Sequence, residues 1–188
     1  MDDLVPGRSC GECTVCCTVL LVDTPEIQKE PGATCRHCRG GCTIYDTRPP
    51  VCRDYFCAWR KMDIFGENWR PDRSGVFAQL ETEDIPEAFG FAAGLTLMLT
   101  DHPAWTVRQR WFQEFVQTGI MNNIPIFLSV PGPRGTQAAK LLLNTEEMRD
   151  AILAGRMKDA LEKALRRMSS HDFKPARIMH AGNDVGVP

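Results

Sequence analysis

The chain has 188 residues, of which 43% are hydrophobic and 24% charged, a composition that fits a soluble globular protein and excludes a disordered or collagen-like one. Its formal net charge of −2 lacks the basic surplus of a protein that tracks nucleic acid. No apolar run reaches the roughly 20 residues that span a bilayer. The opening MDDLVPG has neither the basic nor the apolar region of a secretory signal, so a cytoplasmic protein without a membrane segment is expected.

The first 60 residues are set apart by their thiols. All nine cysteines lie between Cys10 and Cys57: Cys10, Cys13, Cys16, Cys17, Cys35, Cys38, Cys42, Cys52 and Cys57. A disulfide framework would need an oxidising compartment, and nine thiols leave one without a mate. A redox dithiol would need one CxxC singled out at a helix N-terminus, whereas several overlap here. A metal centre needs several soft donors from a short stretch, and a CxxC turn sets two sulfurs side by side. Cys13-x2-Cys16 and Cys35-x2-Cys38 have zinc-ribbon spacing. Cys10-x2-Cys13-x2-Cys16 begins like a bacterial ferredoxin run, but Cys17 follows at once. All nine cysteines are therefore candidate metal ligands, and spacing alone leaves zinc and an iron–sulfur cluster both open.

Thiolate sites are anionic and call for compensating charge. Arg36, Arg39, Arg48, Arg53, Arg60 and Lys61 outnumber Asp46 and Asp54 in the same stretch. His37 lies inside a CRHC run and reads as an exposed loop residue, since sulfur donors are already in excess. His102, His171 and His180 have no partner pattern.

The run CTIYDTRPPVCRDYFCAW over residues 42–59, with CxxCxxCC upstream, resembles the signature of the YkgJ-type cysteine-cluster family. That family is described as a zinc- or iron-chelating domain, and the flagellin lysine N-methylases carry a related cysteine domain. The resemblance covers about residues 8–60. It implies ligand roles for Cys13, Cys16 and Cys17 in the CxxCC core and for Cys35, Cys42, Cys52 and Cys57 further on. Cys10 and Cys38 look like additions to the pattern. Ile44 and Tyr45 should pack over the module, and Pro49-Pro50 should hold an extended segment that aims Cys52 at the centre. Arg48 should donate to cysteine sulfurs or carbonyls, and Trp59 should cover the core.

Residues 61–75, with Gly66, Pro71, Asp72 and Gly75, read as a connecting loop. A strand is expected over 76–82. Another, over 95–99, has Leu95, Leu97 and Leu99 on its one buried face. Asp101 or Thr100 should cap a helix with Pro103 in its first turn, a core stripe of Val107, Trp111 and Phe115 with Phe112 and Val116 beside it, and an end at Gly119. A strand over 126–130, a turn over 131–135 and a strand over 140–143 follow. Asn144 or Thr145 should cap a helical stretch to Ser169 that Gly155 divides, with Met157, Leu161, Ala164 and Met168 buried.

The expected architecture is α+β: a cysteine-rich metal-binding module (1–60) packed on a small, mostly antiparallel sheet with two or three helices (61–170), then a flexible tail (171–188). The leading functional expectation is a protein that binds zinc or an iron–sulfur cluster. The alternatives are an iron–sulfur enzyme for electron transfer or protein modification, although the body shows no evident nucleophile or acid–base pair, and a zinc-stapled module that presents its basic stretch to a protein partner.

Overall fold

The computed structural model describes residues 4–177. The cysteine-rich segment is built from short pieces. Helix α1 (Val15–Val19) carries Cys16 and Cys17. A two-residue-deep hairpin, β1 (Val22–Asp23) antiparallel to β2 (Gln28–Lys29), follows it. A loop comes next, in which Cys38 and Cys42 pair as an isolated antiparallel bridge. Gly40 (φ 67°) gives that loop the left-handed backbone its tight turn requires. A 3-10 turn, Tyr45–Thr47, leads to α2 (Pro50–Arg53) and α3 (Ala58–Lys61). The expected extended Pro49-Pro50 segment is only half present. Pro49 is extended (φ −59°, ψ 155°), but Pro50 opens α2. The first helical position suits proline, because no partner exists there for its missing N–H.

Residues 61–75 are not the simple connector expected. They form a 3-10 turn, Glu67–Trp69, and helix α4 (Pro71–Ser74). Phe65 and Trp69 are buried and draw this stretch into the core. Trp69 packs edge-on against Trp111, with ring centroids 4.8 Å apart, and lies 4.5 Å from the Phe115 ring.

The body is a four-stranded sheet in the order β3 (Val76–Glu81), β4 (Gly94–Leu99), β5 (Ile126–Val130), β6 (Ala139–Leu142). β3 pairs antiparallel with β4, and β5 antiparallel with β6. β4 and β5 run parallel, Leu95 opposite Ile126, so the sheet is mostly antiparallel with one helical crossover. The result is α+β, as the sequence predicts.

The crossover is two helices, α5 (Pro103–Thr106) and α6 (Arg110–Met121), where one was expected. Gln109 is extended (ψ 131°) and breaks the run; the Gln113 side chain donates to the freed Val107 carbonyl at 2.9 Å. The first of the two is preceded by His102 in a left-handed conformation, with no side-chain cap from Thr100 or Asp101. Gly119 does not end α6. It is buried, and a Cβ there would stand 2.8 Å from Ile126 Cδ1, so the missing side chain lets helix and strand approach.

Helix α7 (Glu146–Leu153) is capped by Thr145, whose hydroxyl accepts from Met148 N at 3.2 Å. The Asn144 side chain is spent elsewhere, accepting from Ile126 N and donating to the Ile124 carbonyl, both at 2.8 Å. Gly155 (φ 65°) separates α7 from α8 (Met157–Ser169), and the expected stripe of Met157, Leu161, Ala164 and Met168 is buried.

Alternate residues of the strands divide the sheet's two faces. Val76, Ala78, Leu95, Leu97, Leu99, Ile126 and Leu128 share one core with the buried faces of α6, α7 and α8. Strand 95–99 was expected to have one buried face, but every residue of β4 is buried. The Tyr55 ring lies tilted near Phe77 there, centroids 6.3 Å apart, and its hydroxyl accepts from Gln79 Nε2 at 3.2 Å. The cysteine-rich segment thus lies against the sheet at its β3 end. Ala58 and Trp59 already belong to the main core. Residues 171–177, expected in the tail, are docked: Thr136 bridges Pro175, and Phe173 packs on the core. The remainder of the expected tail, 178–188, lies outside the described residues. No helix among the described residues is long and apolar enough to cross a membrane.

Candidate metal centre

Backbone hydrogen bonds fold the thiol segments onto one another. Cys13 N donates to the Cys10 carbonyl at 2.8 Å, which closes the first CxxC turn. Cys38 N donates to the Cys35 carbonyl at 2.9 Å and closes the second. Cys35 N donates to the Cys17 carbonyl at 2.9 Å, which joins the two motifs. Cys52 sits on α2, and Cys57 is the residue that starts α3. None of the nine cysteines is in a disulfide.

Eight of the predicted ligands, Cys10, Cys13, Cys16, Cys17, Cys35, Cys42, Cys52 and Cys57, line one cavity of about 270 Å³. Cys38 is not on it; its thiol contacts Cys17 from the outside. The rest of the wall is largely apolar and includes Ile44 and Tyr45, expected to pack over the module, and Trp59, expected to cover the core. His37 also faces the cavity and is only part-buried, so it is not the free loop side chain expected; its Nε2 accepts from Arg36 Nε at 3.1 Å. Among the described residues, no three His, Cys, Asp or Glu side chains form a group that could hold a metal ion as they stand. The thiols ring a space and do not meet at a point.

Charge around that space is positive. Lys29 is 7% exposed, and its ammonium donates to the carbonyls of Thr18 (2.9 Å), Ala33 (3.0 Å) and Glu30 (3.2 Å). Burial pushes its pKa down, and the neighbouring cysteines Cys35, Cys17, Cys16 and Cys52 oppose that shift when ionised. Sequence reasoning passed over Lys29. The available signal was that it is the sole basic residue between the two CxxC groups. Arg48 lies over the Tyr45 ring at 3.8 Å and donates to the carbonyls of Tyr45 (2.8 Å) and Cys52 (3.3 Å). It therefore binds carbonyls, one of its two expected roles.

Arg60 is the most telling of these cations. It is 7% exposed, lines the cavity and lies over the Phe56 ring at 5.6 Å. Its Nε and Nη1 are buried with no hydrogen-bond partner. An unpartnered buried guanidinium is costly and rare. An anionic guest or ionised thiols in the cavity would supply the missing partners.

The surroundings act on the sulfurs in both directions. Burial pushes Cys13, Cys52 and Cys57 up. Cys16 is pushed up and Cys17 down, because the Cys16 thiol donates to Cys17 sulfur, whose charged form Lys29 and Arg48 also favour. A coordinated cation reverses the burial effect, since metal ligation deprotonates a thiol outright. Soft donors in number, a space to surround and buried cations to balance thiolate charge together fit a zinc or iron–sulfur centre. The chain matches no family model, no curated protein and no solved structure. The resemblance to the YkgJ-type family thus rests on the motif residues themselves.

Proposed function

We propose that the chain is a metal-binding protein whose N-terminal cysteines hold zinc or an iron–sulfur cluster, the role the YkgJ-type signature also implies. The observation that carries this reading is the single cavity ringed by eight thiols and faced by the buried, unpartnered Arg60. Lys29, Arg48 and Arg60 neutralise thiolate charge in a partly buried site. Ile44, Tyr45 and Trp59 form part of the wall around the sulfurs. A bound metal supplies folding free energy to a segment with few core residues of its own.

The test is elemental analysis with a visible spectrum on full-length protein purified without oxygen. Zinc, or iron with acid-labile sulfide and visible absorption, is the expected result. Cys13→Ser and Cys16→Ser should each lower the metal content. Protein that carries no metal, and takes up neither zinc nor iron with sulfide on reconstitution, overturns the proposal.

A further inference from the structure

Structural zinc and cubane iron–sulfur centres each use four protein ligands in their usual form. The cavity offers twice that number, and the hydrogen-bond network divides them. Residues 5–13 are strapped to 57–65. Val5 N donates to the Arg60 carbonyl at 2.9 Å. The Arg8 guanidinium donates to the carbonyls of Trp59, Met62 and Phe65. This ties the chain that leads into the Cys10–Cys13 turn to the stretch that follows Cys57. Residues 17–18 are strapped instead to the second cysteine loop, through Cys35 N to the Cys17 carbonyl and Gly32 N to the Thr18 carbonyl, both at 2.9 Å. Cys42 closes that loop by its bridge to Cys38, and Arg48 ties Cys52 to the Tyr45 turn.

The division falls between Cys16 and Cys17. Consecutive residues on a helix point about 100° apart, so α1 sends its two sulfurs to different neighbours while they touch at the boundary. The Cys13-x2-Cys16 spacing keeps Cys16 with the first pair. The cations divide as well. Lys29 donates to the Thr18 carbonyl next to Cys17, and Arg48 to the Cys52 carbonyl. Arg60 follows Cys57 by one helical turn, and Arg70 Nη2 donates to the Cys10 carbonyl at 3.2 Å.

We propose that the cavity holds two metal centres side by side, one bound by Cys10, Cys13, Cys16 and Cys57 and the other by Cys17, Cys35, Cys42 and Cys52. Cys38 is left out of both. Cys10, which looks like an addition to the family pattern, becomes a required ligand of the first centre. This rests on the metal-binding reading and adds a number and a partition to it.

The experiment is metal and acid-labile sulfide stoichiometry per chain, by elemental analysis and native mass spectrometry, on full-length protein purified without oxygen. The wild type should carry two equivalent centres. Cys10→Ser with Cys57→Ser should halve the content, and Cys35→Ser with Cys52→Ser should remove the other half. Cys38→Ser should leave it whole. One centre in the wild type overturns the partition while leaving metal binding intact. Loss of everything from either double variant, with far-UV circular dichroism unchanged, also overturns it and indicates one shared centre. No metal in any form, after reconstitution, overturns the metal reading itself. The wild-type count needs no variant to fold, so poorly folded variants do not protect the proposal.

Discussion

Arg8 is the residue on which the two ends of the cysteine segment depend. Its side chain is 9% exposed, and one guanidinium serves three carbonyls, those of Trp59, Met62 and Phe65. Hydrogen bonds to a charged group contribute more than neutral ones, so Arg8→Ala should cost about 2–3 kcal/mol in urea unfolding. Arg8→Lys should recover only part, because an ammonium lacks the planar fork. A loss within about 0.5 kcal/mol, the size of an ordinary surface substitution, would show that water replaces the guanidinium. Nothing in the sequence singles Arg8 out, since its partners are backbone carbonyls more than 50 positions away. The cysteines were legible because their chemistry is in their identity. Lys29 was not, because its meaning comes from the fold that buries it.

The elements of the body were largely visible in their periodicity. Thr145, Gly155 and the Met157–Met168 stripe acted as their types predict. The misses came from contacts between elements. Gly119 reads as a helix end, yet it sits within α6 because β5 needs the room. Gly94 carries the same lesson at the start of β4. A Cβ there would run into the Pro125 carbonyl oxygen and stand 2.7 Å from Pro125 Cβ, where Leu95 N pairs with that carbonyl at 2.8 Å. Gly94→Ala must therefore part the one parallel pair of the sheet, and overpacking of this kind costs about 1–3 kcal/mol or more. Gly119→Ala meets only the end of the Ile126 side chain and regains about 1 kcal/mol of helix propensity, so its loss should be the smaller. Urea midpoints of the two variants check the order, and the reverse order would mean that strand backbone yields more easily than the α6–β5 packing.

Across the whole molecule, stability is unevenly distributed. Between residues 4 and 57 only Ile27 and Lys29 are buried, and the hydrophobic core begins at Ala58. The cysteine segment has hairpins and single helical turns but no interior, which is why composition marked it off while periodicity could not describe it. Its cavity wall is borrowed in part from the body, through Trp59 and Phe77. A segment of this kind opens locally at low cost unless metal ligation ties it down. The body has no such need: α6, α7 and α8 close over one continuous sheet face. Removal of metal with a chelator under reducing conditions should therefore abolish amide-exchange protection over 10–57. Strands β3–β6 and helices α6–α8 should keep theirs, and far-UV circular dichroism should change little. Phe77 and Trp59 are the points where loosening would reach the core, so Trp59 fluorescence should shift while Trp111 stays packed. Protection lost evenly along the chain would mean that segment and sheet unfold as one unit. Unchanged protection over 10–57 would mean that hydrogen bonds such as those of Arg8 and Lys29 hold the segment without metal.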